Sequence, residues 1–414
     1  MNILLASQNT NIKAEISITG SKSESNRLLL LQALYPEISI ENISNSDDSE
    51  YMQRALNLVK NNDDSMTADI HHAGTAMRFL TAFFSIQNGK EVVLTGSSRM
   101  QERPIKILVD ALKQLDADIE YQNEIGYPPI KIKGKALTGG KVHLTANVSS
   151  QYISALLLIA PKLEKGIQLE LEGTITSVPY IKMTLSLLKE IGVKTQFERN
   201  VIRVFSNQQV NKKTLVVESD WSSASYFYSI MALSEVGSEI TLSSYKKNSL
   251  QGDSVLAEIY QQFGVITSFN ANSITLRKTE DCHLQSINCQ LADAPDIAQT
   301  IAITCLGLGI GCDLFGLHTL PIKETDRLTA LKTELEKLGG SVTITAESLH
   351  LKPTSVVNKN VAIDTYQDHR MAMAFAPIAL KVPVVINESE VVSKSYPDFW
   401  KDMESVGIVI KNQQ

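Results

Sequence analysis

The sequence predicts an α/β protein of two domains, each assembled from three copies of one small unit. Three observations carry this. One pattern recurs along the chain: an amphipathic helix, a Gly or Asp break, then two short strands. The breaks at Asp116, Gly192, Gly264, Gly339 and Gly407 fall about 70 residues apart, and repeats of that period are the first clue to architecture. Six such units account for the 414 residues. Each is too small and one-sided to stand alone, so several must pack their helices together under their sheets.

Taken in order, the chain opens with a β-type run, Ala14 to Ile18, then Gly20, then SKSESNR, then the apolar LLLLQALY. That reads as strand, turn and helix start, with Ser21 or Ser23 able to cap the helix. A weaker copy of the repeat occupies 51–72. Stronger copies occupy 105–133, 181–205, 254–277 and 328–352, and the last lies at 399–412. In each, apolar residues follow helical spacing and switch to alternation after the break. Glycine suits a left-handed helix end.

Composition sets limits. The chain is 43% hydrophobic and 20% charged, with mean hydropathy near zero, as expected of a soluble globular protein long enough for two domains. A net charge of −6 and a pI of about 5.7 argue against nucleic acid as partner, because binding its phosphates takes a broad basic surface. A small anionic substrate fits, since a pocket can be cationic inside an acidic protein. The cysteines are Cys282, Cys289, Cys305 and Cys312, none in a CxxC, with Cys305 and Cys312 expected as core thiols in a reducing cytoplasm. The N-terminus lacks signal-peptide features, and no apolar run reaches membrane-spanning length. Monomer is the default expectation.

Short polar islands fall mainly between the repeats. GSKSESNR holds Lys22, Ser23 and Arg27; AGTAMR holds Gly74; ERPI holds Arg103, with Pro104 expected as the first residue of a helix. NVSSQY holds Ser149, Ser150 and Gln151, and SVPY holds Ser177. Later come Asp293 and Asp296 before an apolar helix, then Lys323, Glu324, Asp326 and Arg327. Asp368, His369 and Arg370 follow, and then Lys394. Read singly, each is an ordinary cap or solvated helix start. Together, the placement of Lys22, Arg27, Arg103, Arg327, Arg370 and Lys394 before or at helix openings points many helix N-termini at one interdomain cleft. Such termini with Arg and Lys form an oxyanion site, implying substrates that carry phosphates and carboxylates.

These islands resemble, collinearly and over the whole chain, the 5-enolpyruvylshikimate-3-phosphate synthase family. GSKSESNR, AGTAMR, ERPI, VSSQY, PYI, PD before an apolar helix, KETDRL, DHRMAMAF and the final PDFW all match. The resemblance implies an inverted α/β barrel-like fold of two domains, each three βαβαββ units around buried helices. One domain would be 20–219 and the other 1–19 with 220–414, closing around substrate at the cleft. It implies transfer of the enolpyruvyl group of phosphoenolpyruvate to the 5-hydroxyl of shikimate 3-phosphate, without metal or organic cofactor. Lys22, Gly74, Arg103, Gln151, Arg327, Arg370 and Lys394 would hold phosphoenolpyruvate. Lys22, Ser23, Arg27, Ser149, Ser150, Gln151, Ser177, Asp296 and Lys323 would contact shikimate 3-phosphate. Asp296 is implied as base and Glu324 as proton donor, with Lys22 a further candidate for proton transfer. The sequence leaves open which of the three moves which proton.

Three positions depart from the family pattern: His72 stands for the usual Asn, Phe79 for Pro, and Thr319 for an Asn ahead of KETDR. Glyphosate inhibition is still implied, because Gly74 leaves room beside the phosphoenolpyruvate site. The sister enzyme acting on UDP-N-acetylglucosamine carries a reactive cysteine on the loop that here reads SSRMQERP, and no cysteine precedes Cys282. A non-catalytic anion-binding protein of the same fold is the other alternative, against which the acid and base candidates argue.

Overall fold

The computed structural model describes residues 1–7, 9–59, 65–145, 149–173, 175 and 178–413. The chain divides into two compact units, Gly20–Val217 and a discontinuous one made of Met1–Thr19 with Glu218–Gln414. Each holds three sheets and its own apolar core.

One topology repeats. Two parallel strands are joined by a buried helix, and a hairpin follows whose second strand pairs antiparallel with the second parallel strand. In Gly20–Val217, Ser65–Asp69 and Glu91–Thr95 run parallel on either side of helix Gly74–Ser85 in sequence. Ile130–Lys133 then pairs with Glu91–Thr95, leaving Asp118–Tyr121 at the edge. Gly140–Thr145, Ile167–Glu172, Val201–Val204 and Thr195–Glu198 repeat the arrangement around helix Ser150–Ile159. In the discontinuous unit, Ser286–Gln290 and Gly311–Phe315 flank helix Ala298–Leu308 in the same way. Lys13–Ile16 and Glu239–Ser243 flank Trp221–Leu233. In the third sheet, Val361–Ile363 and Val384–Ile386 flank His369–Phe375, and Asn2–Ser7 fills the inner hairpin position beside Ile408–Gln413.

The remaining sheet is a parallel pair, Ile38–Glu41 with Lys213–Val216. The weak repeat at 51–72 belongs here. Its helix forms as Asp47–Leu58, but the strand that follows, Ser65–Asp69, pairs into the next sheet. The intervening sequence Asn61–Asp64 is wholly polar and offers no apolar alternation for a sheet face to bury.

Helices Gly74–Ser85 and Trp221–Leu233 are buried at every residue. Both carry polar side chains, Arg78 in the first and four serines in the second, yet none of these residues faces water, so each polar group must find its partner inside. Their hydroxyls are matched internally: Thr81 and Ser85 donate to the carbonyls one turn back, and Ser225 and Ser229 meet Thr300 and Thr304 of the neighbouring buried helix. Lys278, also buried, donates to the Ala232 and Phe263 carbonyls at two helix ends. Cys305 and Cys312 lie in the core of the discontinuous unit, and all four cysteines are free thiols.

The five repeat breaks share one backbone state. Asp116, Gly192, Gly264, Gly339 and Gly407 have φ of 73°, 88°, 75°, 96° and 92°. Asp116, the non-glycine, accepts from Lys135 Nζ at 2.9 Å. A Cβ at Gly264 would lie 2.1 Å from the Glu280 carbonyl oxygen, whereas one at Gly192 would meet nothing within 4 Å. Gly192→Ala should therefore cost only the left-handed penalty of about 1–2 kcal/mol, and Gly264→Ala distinctly more. Urea midpoints that moved equally for the two variants would contradict this.

Candidate active site

Each unit carries one constellation of the residues singled out above. In Gly20–Val217, Lys22 and Ser23 open helix Lys22–Leu34, both half-buried. Ser21 occupies the N-cap position, but its side chain makes no capping bond, so the expected serine cap is absent there. Arg27 is buried, and its Nε donates to Thr184 Oγ1 at 2.7 Å, Nη1 to the Ser23 carbonyl at 2.6 Å, and Nη2 to Ser154 Oγ at 3.0 Å. Its guanidinium lies 5.3 Å from the Phe79 ring centroid and 5.8 Å from that of Tyr180. Arg27 thus gathers the first two turns of four helices. Burial pushes its pKa down to about 10, with Tyr180 and Glu24 opposing. Phe79, where the family has proline, supplies an aromatic face for that cation.

The second anchor is Arg78, which sits in AGTAMR with no role evident from sequence alone. It donates through Nη1 to the Gly74 carbonyl at 3.0 Å and through Nη2 to the Pro104 carbonyl at 3.1 Å. Tyr152 donates to the same Pro104 oxygen at 2.6 Å. These bonds tie the loop carrying Arg103 to the start of helix Gly74–Ser85. Pro104 itself lies before the helix, which begins at Lys106, so it is a loop acceptor rather than the first helical residue. Burial, then the charge of Arg103, pushes Arg78 down to about 10. Arg103 packs directly on Gly74: a Cβ there would lie 2.5 Å from Nη1. Gln151 donates from Nε2 to Thr75 Oγ1 at 3.2 Å, and Ser149 caps helix Ser150–Ile159 by accepting from the Gln151 N–H. Ser150 is buried beside it, and Ser177 lies outside the described residues. His72 meets His71, Nδ1 to Nδ1, at 2.7 Å, with its Nε2 3.7 Å from Asp47.

In the discontinuous unit the centre is Arg327, first residue of helix Arg327–Lys337 and 2% exposed. Nε donates to Asp368 Oδ2 at 2.6 Å, Nη1 to Asp296 Oδ1 at 2.9 Å, and Nη2 to Glu324 Oε2 at 2.6 Å and Asp368 Oδ1 at 3.3 Å. Arg370 donates to Asp296 Oδ2 and to Ser222 Oγ, each at 3.2 Å. Lys323 Nζ lies 3.4 Å from Asp296 Oδ1. Five of the predicted site residues, Asp296, Lys323, Glu324, Arg327 and Arg370, are therefore linked in one connected cluster through Asp296 and Arg327. Lys394 sits one step away, donating to the Gln367 carbonyl at 2.7 Å. Burial disfavours the Asp296 charge, yet Arg370, Lys323 and Arg327 hold its carboxyl well below the usual range. Burial likewise lowers Arg327, but Asp368, Glu324 and Asp296 more than offset it and raise it above its ordinary value.

Three members of this cluster were given no role from sequence. Asp368 stood inside the DHR island; it caps helix His369–Phe375 by accepting from the Arg370 N–H while holding Arg327. Ser222 stands in ESDWSSAS, a polar turn before a buried helix like the other islands, and hydrogen-bonds Asp253, a buried carboxyl in the turn Gly252–Val255 that nothing in its local pattern marks out. Thr319, the third departure, has its hydroxyl buried without a partner among the described residues. Among the described residues, no helix is long and apolar enough to cross a membrane.

Residues 6–403 match the family model for EPSP synthase (3-phosphoshikimate 1-carboxyvinyltransferase). The 3-phosphoshikimate 1-carboxyvinyltransferase of Bacteroides fragilis YCH46 is 44% identical over 98% of both chains. That of Haemophilus influenzae PittEE is 36% identical over 95% of this chain and 96% of its own. Among solved structures, an EPSP synthase from Acinetobacter baumannii superposes with a TM-score of 0.81 over the whole of both chains at 21% identity. The enolpyruvyl transferase NikO from Streptomyces tendae gives 0.73 at 13% identity, covering 100% and 99% of the two chains. These likenesses place the fold among the two-domain α/β enolpyruvyl transferases.

Removing the central cation tests the cluster's energetics. Arg327→Ala leaves buried carboxylates under-paired and should cost about 3–5 kcal/mol at neutral pH, read by urea denaturation. A depressed carboxyl contributes its stability above the unfolded value of about 4 and loses it as pH falls through the folded one, so the gap between variant and wild type should narrow in acid. A constant gap would show that Arg327 acts through packing alone.

Proposed function

The chain belongs to the EPSP synthase family, and on that premise we propose that it transfers the enolpyruvyl group of phosphoenolpyruvate to the 5-hydroxyl of shikimate 3-phosphate, releasing inorganic phosphate. The step serves aromatic amino acid biosynthesis. The observation that carries the residue roles is Arg327 held between Asp296, Glu324 and Asp368, beside Arg370. The candidate base Asp296, the candidate acid Glu324, which is still partly exposed, and two guanidinium groups share one spot.

The chemistry needs carboxyls that can change protonation. In the structure Asp296 faces Arg327, Arg370 and Lys323, and a carboxylate so held is a poor base. Phosphoenolpyruvate brings a carboxylate and a phosphate that compete for the same guanidinium donors. As those donors turn to substrate, Asp296 recovers basicity and accepts the 5-hydroxyl proton. Withdrawal of Arg327 from Glu324 lets that carboxyl hold the proton it delivers to the methylene carbon. The hydroxyl oxygen bonds to the substrate's central carbon, giving a tetrahedral ketal. Collapse reverses the order: the carbon–phosphate oxygen bond breaks, a methyl proton leaves and the alkene returns. Substrate binding is thus the event that arms both groups.

The remaining residues bind and orient. Lys22, Arg103, the Gly74 N–H, Gln151 and Lys394 take phosphoenolpyruvate with Arg327 and Arg370. Ser23, Arg27, Ser149, Ser150, Ser177 and Lys323 take shikimate 3-phosphate, with Lys22, Gln151 and Asp296 shared. Arg27 has four donor contacts already filled inside its unit, which leaves one N–H of Nη1 for a ligand oxygen. Its main contribution is to hold the serine-bearing helix ends together. We infer further that the protein acts in the cytoplasm, as a monomer and without nucleic acid.

Phosphate release from the two substrates is the decisive assay. Wild type should turn over, and Asp296→Ala should lose at least about a hundredfold, the usual scale for a general base. An inactive wild type, or a fully active variant, would defeat the reading. Burial raises the Cys289 thiol to about 11 and Cys305 well above its ordinary value, and Cys312 is buried with them. Cys282 is more exposed, but its Sγ lies against the Gln262 carbonyl and no assigned site residue among those described, so iodoacetamide should leave turnover unchanged; inactivation would favour a thiol-dependent enolpyruvyl transferase.

A further inference from the structure

Asp253 is a buried carboxyl that the reaction scheme leaves idle. It lies in the turn Gly252–Val255, and its Oδ2 accepts from the Ser222 hydroxyl. The same hydroxyl oxygen accepts from Arg370 Nη2 at 3.2 Å, and Arg370 Nη2 reaches Asp296 Oδ2 at 3.2 Å. A continuous chain thus joins Asp253 to the carboxyl assigned as base. We propose that Asp253 is a positioning residue for this reaction: through Ser222 it fixes Arg370 against Asp296, and ionisation of Asp253 weakens the site's hold on phosphoenolpyruvate. The proposal rests on the functional reading above.

The charged groups facing Asp253 come from each element packed on it. Asp296 precedes helix Ala298–Leu308, Arg370 lies in helix His369–Phe375, and Asp220 caps helix Trp221–Leu233, on which Ser222 stands. Burial, reinforced by Asp296, pushes the Asp253 carboxyl up to about 7, with Arg370 and the Ser222 bond opposing and Asp220 adding a smaller rise. A carboxyl in that range is neutral in mild acid and charged in mild alkali. When neutral, it leaves the Arg370 charge to Asp296 and the substrate. When charged, it adds a second carboxylate to a cation that must bind an anion. The sign is fixed: affinity for phosphoenolpyruvate falls as pH rises through the titration.

The test compares wild type with Asp253→Asn, which keeps the size and hydrogen bonding of the neutral acid. From about pH 6 to about pH 9, KM for phosphoenolpyruvate should rise about tenfold more in wild type than in the variant, the size of a one-unit coupling. Changes in the substrate's own ionisation cancel in that comparison. Ser222→Ala, which cuts the chain and leaves the carboxyl, should raise KM at every pH. The carboxylic C=O stretch in infrared difference spectra over the same range should be present in wild type and missing in Asp253→Asn. Identical pH profiles for wild type and Asp253→Asn would overturn the proposal, as would an infrared band unaffected by the substitution. The infrared arm needs no turnover, so an enzyme that released no phosphate would sink the functional reading while the Asp253 titration was still decided.

Discussion

The guanidinium of Arg327, shared among three carboxyl groups, is the interaction on which the rest of the discontinuous unit's chemistry depends. A buried cation needs acceptors on all sides, and Arg327 finds them on Asp296, Glu324 and Asp368. Those residues come from three segments far apart in the chain. Their convergence sets the orientation of helix Arg327–Lys337, of the turn before helix Ala298–Leu308, and of the start of helix His369–Phe375. Asp368 does this twice over, since the oxygen pair that grips Arg327 also caps the helix bearing Arg370.

The two units treat their cations differently. In Gly20–Val217, Arg27 and Arg78 are met by hydroxyls, backbone carbonyls and aromatic rings, which satisfy donors without cancelling charge. Burial then lowers both pKa values, the signature of a cation with too little anionic company. In the discontinuous unit, Arg327 and Arg370 are met by carboxylates and are pushed the other way. The first arrangement keeps a standing positive potential for anions. The second holds its donors in bonds to carboxylates, the same kind of oxygen that a carboxylate or phosphate ligand would offer.

Two of the three departures from the family pattern find a physical account. Phe79 widens no gap; it lies under Arg27 and returns as ring–cation contact what a proline would have given as rigidity. His72 turns toward His71 and Asp47, with Gly74 two residues on still close enough to Arg103 that no side chain fits between them. Thr319 has no such account, and its buried hydroxyl is unmatched among the described residues.

Much was legible from residue order alone because it rests on local rules. Helical spacing that switches to alternation marks the repeats, a left-handed break needs Gly or a tolerant Asp, and an unbroken apolar helix has to be buried. Motif order was equally readable, since GSKSESNR, KETDRL and DHRMAMAF each keep their chemistry within a few residues. What the chain order did not carry was partnership across long separations. Asp253 looks ordinary in its own segment, Ser222 reads only as part of a polar helix start, and Arg78 reads as one more helical residue. Each acquires its part only when folding removes it from water and sets it against a partner some 20 to 150 residues distant. Burial and proximity are properties of the assembled core, and it is these that turned Asp296 into a firmly held anion and Asp253 into a group poised to titrate.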